Sequence, residues 1–330
     1  MTRMNWKIFT GTGKPHDGIK HLPEPPPWRR FNGMVEIERK LPAVDKDVPF
    51  RDLRRGLSFQ VRPEMVNVVN AALYLRRPIL ITGKPGSGKS SLVYAVAYEL
   101  RLGEVLQWPI TSKSSLQKAL YEYDAIGRLQ ETQFEGKTPE IEKYLKLGPL
   151  GTALLPTNRP RAILIDEIDK SDIDLPNDLL NIFEEGYFDI PEVGRLDREK
   201  VNIRAHNSDE SFPVVKGHVQ CKEFPLVVLT SNGERDFPPA FLRRCLRFEM
   251  PEPDEILLGK IVTAHLGAQA ATEADDIIKK FLERKSGGAL ATDQLLNAIF
   301  LLLQKREGIK DDREALVNLL LKELTIGSST

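Results

Sequence analysis

A glycine-rich segment in the first third of the chain contains the residue types best suited to bind phosphate groups. An apolar run at 79–81 precedes it, and a run with helical character at 92–100 follows it. The residues between these two runs are Gly83, Lys84, Pro85, Gly86, Ser87, Gly88, Lys89, Ser90 and Ser91. The pattern Gly-x4-Gly-Lys-Ser between a strand and a helix is typical of a phosphate-binding loop.

Each residue type in this segment has a physical reason to be there. Glycines accept backbone angles closed to other residues, so successive N–H groups can converge on phosphate oxygens at a helix N-terminus. Lys89 would reach the β- and γ-phosphates of a nucleotide, and the Ser90 hydroxyl would coordinate Mg²⁺. An accidental glycine turn is the alternative, with odds of about one in a hundred from average composition. The segment therefore predicts a nucleoside triphosphate and Mg²⁺ as ligands.

Two adjacent carboxylates follow another apolar run. The run occupies 162–165, and Asp166 and Glu167 come directly after it. Because ligands of open α/β sheets bind at the carboxyl ends of strands, these acids are expected beside the phosphate-binding loop. Asp166 would hold Mg²⁺ through its water shell, and Glu167 would polarise the attacking water as a general base. The alternative is a strand end with solvated acids. Three further acids are interpreted as helix-start and surface residues: Asp169, Asp172 and Asp174.

Polar residues also follow a third apolar run. The predicted strand at 224–230 brings Asn232 to the same edge of the sheet. Asn232 there would hydrogen-bond the γ-phosphate or the attacking water; the alternative is a turn-forming asparagine. A short predicted helix then presents Arg243 and Arg244, which are either transition-state cations or surface arginines paired with acids such as Glu249.

Length and composition describe the molecule that must position these residues. A chain of 330 residues suggests about two domains, and 41% hydrophobic residues suffice for a packed core. The 47 basic and 47 acidic residues balance, which gives no support to nucleic acid or an anionic membrane as a partner, although a local patch is compatible with it. Two cysteines make no disulfide framework, and no signal-peptide core or membrane-length apolar run is found. A cytoplasmic protein is therefore predicted.

Changes in composition divide the chain into three predicted regions. Residues 1–57 form a proline-rich, irregular arm, with Trp28 and Phe31 as anchors on the body or, alternatively, as nucleic-acid contacts. Residues 58–250 form an α/β nucleotide-binding domain, and residues 251–330 a small helical domain. Predicted strands lie at 80–82, 105–108, 162–165, 224–230 and 246–248, with a β-rich stretch at 187–215. Predicted helices lie at 64–75, 114–123, 256–266, 273–285, 292–306 and 312–325.

The ordered set of motifs resembles an AAA+ ATPase, most closely the MoxR-like branch and its dynein-related relatives. Sequence segments beyond the common motifs, at 69–73, 148–150 and 230–244, also support this resemblance. It covers about 59–303 and leaves the proline-rich arm uncovered. The resemblance implies an α/β P-loop NTPase fold whose five-stranded parallel sheet has the order 5-1-4-3-2. It also implies a C-terminal helical lid and a ring, usually a hexamer.

The resemblance further implies roles for particular residues and segments. ATP would be the nucleotide, and Arg244 would act on the γ-phosphate bound by the neighbouring subunit. The usual Leu-x-Arg ending of the short helix favours Arg244 over Arg243. The segments 109–160 and 187–222 resemble the helix-2 insertion and the hairpin before the sensor strand, which face the pore side of the ring in relatives.

One departure from the family pattern concerns the lid. Relatives often carry an arginine at the start of the helix that begins here near residue 291, and this chain has none at that place. Either Arg284 or Lys285 substitutes for it, or lid closure is sensed without a charge.

These motifs together predict an ATP-hydrolysing ring protein that couples hydrolysis to the remodelling of an unknown protein partner. An alternative is a nucleotide-driven, DNA-linked motor that resembles the GTP-driven subunit of methylation-dependent restriction systems. Another is a nucleotide-gated scaffold or defence switch with little turnover. No membrane partner is expected.

Overall fold

The computed structural model describes residues 6–33, 37–38, 49–135, 139–285, 290–304 and 312–322. The strands are β1 (Ile79–Thr82), β2 (Leu106–Pro109), β3 (Tyr121–Tyr123), β4 (Leu145–Leu147), β5 (Ala162–Asp166), β6 (Tyr187–Asp189), β7 (Lys200–Arg204), β8 (Ser211–Val215), β9 (His218–Gln220), β10 (Leu226–Ser231) and β11 (Leu246–Glu249). The helices of the body are α1 (Phe50–Ser58), α2 (Pro63–Leu75), α3 (Ser91–Glu99), α4 (Leu116–Leu120), α5 (Ala125–Glu135), α6 (Pro149–Ala153), α7 (Leu175–Glu185), α8 (Pro191–Gly194) and α9 (Pro239–Arg244). The C-terminal helices are α10 (Glu255–Leu266), α11 (Ala268–Glu273), α12 (Asp275–Lys285), α13 (Thr292–Leu302) and α14 (Arg313–Leu320).

A parallel five-stranded sheet, in the order β11-β1-β10-β5-β2, forms the centre of the body. Numbered along the chain, this order is 5-1-4-3-2, so the predicted α/β fold class and strand order are confirmed. The strands read as continuous apolar runs because helices and other elements cover both faces of the sheet. Alternate residues of one run enter opposite cores: Leu80 and Ile165 face one, and Ile81 and Leu164 face the other.

The register of this sheet brings the chemistry-bearing residues to one edge. Thr82 lies opposite Ser231, and Asp166 lies opposite Pro109. Because all strands are parallel, the loops after β1, β5 and β10 leave from the same edge. Helix α3 starts there and buries nearly all of its apolar residues against the sheet, which holds the start of the helix in place.

A second sheet, in the order β3-β4-β7-β8-β9-β6, is built from residues between 121 and 220. Its strands β6 to β9 confirm that the stretch at 187–215 is β-rich. The predicted helix at 114–123 is wrong beyond Leu120, because Tyr121 and Tyr123 instead pair antiparallel with β4. Pairing with a distant strand has overridden local helical spacing at this point.

The C-terminal helices α10–α14 share an apolar core of their own, to which Leu258, Phe281 and Ile299 contribute. The predicted helix at 273–285 starts later, at Asp275, and a separate short helix, α11, precedes it. Helix α13 ends at Leu302, earlier than predicted. The predicted helix ends at 306 and 325 lie outside the described residues.

The N-terminal arm lies on the body as predicted, and of its two predicted anchors Phe31 is confirmed and Trp28 is wrong. Phe31 is buried and stacks on Phe224, with ring centroids 5.3 Å apart, whereas Trp28 is 77% exposed. Two buried polar side chains also bind the arm's backbone. The Asn70 Oδ1 accepts hydrogen bonds from the N–H groups of residues 8 and 9, and the Glu99 carboxylate accepts those of residues 10, 11 and 13.

The expectation of irregular structure up to residue 57 is wrong for helix α1, which packs against α3. The part of the arm at 39–48 lies outside the described residues, and the domain boundaries stay predictions. Within the described ranges, no helix combines the length and the apolar character that crossing a bilayer requires.

Candidate functional site

The loop between β1 and α3 has the conformation that its glycines predict. Gly86 and Gly88 have φ of 70° and 87°, in the left-handed region that favours glycine. Gly86 also lies against the C-terminal helices, since a Cβ added there would be 2.3 Å from the Cβ of Ala291. The loop is therefore both a turn that only glycine adopts easily and a contact point for the start of α13.

Lys89 lies at the centre of this loop and is buried. Its Nζ donates to the carbonyl oxygens of Gly83 and Lys84, at 2.7 and 2.9 Å, and to Oδ1 of Asn232 at 2.8 Å. Burial lowers the pKa of Lys89, and the carboxylates of Asp169, Asp166 and Glu167 oppose that shift. The ammonium is thus held in the loop by neutral oxygens, with carboxylates nearby.

The Asp166 carboxylate joins the loop to two strands. Its Oδ1 accepts hydrogen bonds from Ser90 Oγ at 2.7 Å and from Thr230 Oγ1 at 2.6 Å. A hydroxyl and a carboxylate in contact at the start of α3 are hard oxygen ligands of the kind that Mg²⁺ prefers. The residues present therefore fit a Mg²⁺ ion, with Ser90 and Asp166 as the groups that would hold it.

Glu167 has a left-handed backbone, with φ 61° and ψ 50°, which is unusual for a residue with a Cβ. Its N–H donates to Thr230 Oγ1 at 2.9 Å, and this bond holds the turn after β5. Its carboxylate accepts a hydrogen bond from Lys170 Nζ at 2.8 Å, and both side chains are 43% exposed. Strained backbone of this kind costs about 1–3 kcal/mol and clusters at functional sites.

Asp169 is not a surface acid, contrary to the interpretation from sequence. It is buried, and its Oδ2 accepts hydrogen bonds from the N–H groups of Asn232 and Glu234, at 2.8 and 3.2 Å. Its role is to position Asn232, whose side chain binds Lys89. The signal that the sequence offers for this role is the position of Asp169 three residues after Asp166, on the short 3-10 helix Ile168–Lys170.

Arg243 and Arg244 lie away from the loop. Arg243 is exposed, and Arg244 Nε lies 3.2 Å from Oε2 of Glu184 on α7. The partner suggested by sequence, Glu249, is therefore replaced by Glu184. Among the described residues that line the phosphate side of the cleft, neither arginine is present.

The cleft beside the loop has two connected parts. A polar part of about 360 Å³, here called the phosphate cleft, is lined by Lys89, Ser90, Asp166, Glu167, Thr230 and Asn232 together with Arg55 and Asp293. An apolar part of about 190 Å³, here called the apolar pocket, is lined by Phe59, Met65, Met250, Leu257, Ile261 and Leu296. Arg55, Gly86, Gly88, Ser91 and Asp293 line both parts. This arrangement suits a ligand with a polar, anionic end and a flat apolar end.

The start of α13 contributes an acid to this cleft, in the form of Asp293. Arg284, one of the two suggested substitutes for a lid arginine, donates to Oδ1 of Asn318 on α14. The side chain of Lys285, the other, lies outside the described residues. Neither candidate is therefore found among the described residues that line the cleft. Among the described residues, the arginine that lines the phosphate cleft is Arg55, which comes from a segment that the sequence predicted to be irregular.

Comparison with protein families agrees with this geometry. A family model for the AAA domain, dynein-related subfamily, matches residues 78–245, which include the loop, the Asp166–Glu167 pair, Asn232 and the two arginines of α9. A comparison with curated proteins finds no significant match. The matched stretch is about half of the chain and contains the whole phosphate cleft except Arg55 and Asp293. The chain therefore belongs to the dynein-related subfamily of AAA domains, within the AAA+ ATPases.

Proposed function

We propose that this protein binds and hydrolyses ATP, using Mg²⁺, and that it does so in a cytoplasmic ring of identical subunits. The observation that supports this most directly is the convergence of Lys89, Ser90, Asp166 and Asn232 on one cleft, with Lys89 bound to Asn232 at 2.8 Å and Ser90 to Asp166 at 2.7 Å. The adjoining apolar pocket has the position and lining that an adenine ring needs.

The residues of the cleft divide the work of phosphoryl transfer. Lys89 exchanges its carbonyl partners for phosphate oxygens, and the loop's N–H groups bind the remaining oxygens. When bound, Mg²⁺ supplies neutralisation of the charge on the β- and γ-phosphates, and Ser90 and Asp166 are the residues that hold it. Glu167 polarises the attacking water, for which its carboxylate must leave Lys170. That ion pair is half-exposed and therefore weak enough to break.

Arg244 acts between subunits in this proposal. It lies outside its own cleft, is only partly exposed, and is oriented by Glu184. An arginine supplied from outside a site stabilises the charge that spreads over the γ-phosphate, by about 10³–10⁵ in rate. A closed ring gives each cleft such an arginine from its neighbour, and the ring, by family analogy a hexamer, would use hydrolysis to remodel a protein client.

The test of nucleotide binding is the replacement of Lys89 by Ala. For the wild type, ATP and Mg²⁺ at about a hundred times Kd stabilise the fold by about 2.7 kcal/mol, which raises the melting temperature. Lys89→Ala removes the cation that meets the phosphates, so ATP should no longer raise its melting temperature. The matched control is Lys118→Ala, which removes an exposed lysine on α4 and should keep the full shift. An equal ATP-dependent shift in both variants would disprove the assignment of the site.

A further inference from the structure

Arg55 is a cation of the phosphate cleft that neither the sequence motifs nor the family match explains. It lies on α1, outside the matched stretch, yet it lines both the phosphate cleft and the apolar pocket. Lys89 and Arg55 are the two cations among the described residues that line the phosphate cleft, where Asp166, Glu167 and Asp293 supply carboxylates.

The packing of α1 on α3 determines where Arg55 lies. The two helices touch at Gly56, where an added Cβ would be 2.8 Å from the backbone oxygen of Tyr94 and 3.2 Å from Cβ of Tyr98. The guanidinium of Arg55 then lies over the Tyr94 ring, with its central carbon 4.2 Å from the ring centroid. A flat ring beneath a flat guanidinium holds it by stacking and leaves the N–H donors at its rim available.

Tyr94 places this guanidinium at the phosphate end of α3. It follows the first residue of the helix, Ser91, by three positions, so it belongs to the first turn. Helical side chains lean toward the helix N-terminus, which carries the stacked guanidinium toward the end where the loop's N–H groups converge. Gly86, Ser90 and Ser91 line the same cleft as Arg55, in agreement with this direction.

The donors of Arg55 have no carboxylate partner in the part of the chain that the structure describes: no hydrogen bond or ion pair to it occurs there. The nearest acid on its own helix, Asp52, is buried, and burial raises the pKa of that carboxyl. The charges of Arg55 and Arg51 lower the pKa of Asp52 and so oppose the effect of burial. Among the described residues Asp52 makes no ion pair with Arg55, so the guanidinium can pair with an anion that enters the cleft.

We propose that Arg55 binds the phosphates of the nucleotide in its own subunit, as a second cation beside Lys89. This inference rests on the proposed function, since it needs a nucleotide in the cleft. A guanidinium binds two phosphate oxygens at once through its planar fork, which a point-charge ammonium does not do. Because α1 also packs against α10, the helix that carries Arg55 links the cleft to the C-terminal helices.

The experiment measures the binding of three probes by calorimetry: adenosine, ADP, and the non-hydrolysable analogue AMP-PNP, the last two with Mg²⁺. Arg55→Met keeps an unbranched stem over the Tyr94 ring and removes the charge. We expect this variant to bind ADP and AMP-PNP with an affinity about 10- to 100-fold lower, because it loses a charged hydrogen-bond donor. Adenosine, which has no phosphate, should bind as it does to the wild type. The affinity of Arg55→Lys for ADP and AMP-PNP should fall between those of the wild type and Arg55→Met, since lysine keeps the charge and lacks the planar fork of donors.

The controls separate this inference from the proposal on which it rests. Arg51→Ala removes an exposed arginine one turn earlier on α1 and should bind all three probes as the wild type does. If the wild type binds neither ADP nor AMP-PNP, the proposed function fails. If it binds both and Arg55→Met matches it, the role of Arg55 alone is overturned. An equal loss for adenosine would show that Arg55 serves only packing. If Arg55→Met does not fold, Arg55→Gln replaces it as the uncharged variant, and wild-type binding of ADP and AMP-PNP by Arg55→Gln would overturn the role of Arg55.

Discussion

Glu167 shows how much a single backbone conformation contributes to this site. A left-handed residue directly after β5 turns the chain away from the strand, while the bond from its N–H to Thr230 compensates for part of the strain. The neighbouring Asp166 keeps an ordinary strand conformation and accepts two hydroxyl hydrogen bonds. The two adjacent carboxylates therefore lie in different environments. Asp166 accepts hydrogen bonds beside the loop, whereas Glu167 is partly exposed and paired with Lys170.

This difference predicts the effect of Glu167→Gln. The amide keeps the shape of the side chain and has no basic oxygen to polarise water, so hydrolysis should fall by about 10²–10⁴-fold. ATP should still raise the melting temperature by the wild-type amount, because Lys89, Ser90 and Asp166 are unchanged. Steady-state phosphate release and thermal melting check the two halves of this prediction. Glu185→Gln, at an exposed acid near the end of α7, serves as control, and equal rates for both variants would leave Glu167 without a catalytic role.

At the scale of elements, the position of α1 on α3 decides whether Arg55 reaches the cleft. Helix α1 lies close to α3 because Gly56 has no side chain at the contact. The guanidinium of Arg55 then covers the Tyr94 ring. Burial raises the pKa of the Tyr94 hydroxyl to about 12, so the ring stays neutral beneath the cation across the physiological range. A contact between two helices thus carries a charge into a cleft built by another part of the chain.

Replacing Gly56 by Ala tests this contact. The substitution has two opposing effects on stability, one from helix propensity and one from packing. Gly→Ala in a helix normally stabilises by about 0.5–1 kcal/mol. Here the new Cβ would press on the backbone of Tyr94, and overpacking costs about 1–3 kcal/mol. We therefore expect a net loss of about 0.5–2 kcal/mol in the free energy of unfolding, measured with urea.

Gly259 provides the matched control for this substitution. It lies inside α10, and an added Cβ there meets nothing within 4 Å. Gly259→Ala should therefore stabilise the protein by about 0.5–1 kcal/mol. If both glycine variants gain stability, α1 can adjust without cost, and its packing is not what fixes Arg55.

At the scale of the whole molecule, the arm and Arg244 of α9 meet at one residue, Glu184. Glu184 lies 3.2 Å from Nε of Arg244 and 3.7 Å from a guanidinium nitrogen of Arg29 on the buried part of the arm. Arg29 also donates to the backbone oxygen of Glu184, at 3.1 Å. The arm therefore helps to hold Glu184, and through it Arg244, in place.

Mixing two inactive variants tests whether Arg244 acts between subunits. Arg244→Ala should bind ATP at its own cleft without hydrolysing it, and Lys89→Ala should fail to bind. Mixed rings should regain part of the activity, because Lys89→Ala subunits still supply Arg244 to clefts that Arg244→Ala subunits keep intact. The ATPase rate is followed across mixing ratios at fixed total protein, with mixed assemblies verified by mass.

The control for mixing pairs Lys89→Ala with the double variant Lys89→Ala/Arg244→Ala, which offers no intact cleft and should stay inactive. Activity that stays at the level of the separate variants, in mixed rings of proven composition, would contradict action between subunits. Low turnover in the wild-type ring itself would favour a nucleotide-gated switch over a remodelling motor.

The amino-acid sequence by itself determined the features whose residues are neighbours along the chain. The loop at 83–91 and the Asp166–Glu167 pair could be recognised because phosphate and Mg²⁺ chemistry needs those residue types at fixed short spacing. The strands could be located because a sheet covered on both faces requires continuous apolar runs. Their order followed from the resemblance to a family, and the register of the sheet confirms it.

Tertiary structure alone decided the features that join distant parts of the chain. Burial of Asp169 depends on the backbone after β10, and the pairing of Arg244 depends on α7. The strand at Tyr121 depends on β4, and the entry of Arg55 into the cleft depends on a glycine that lets α1 approach α3. Local spacing does not encode these contacts, because each is stabilised only when two separately folded segments come together and exclude water between them.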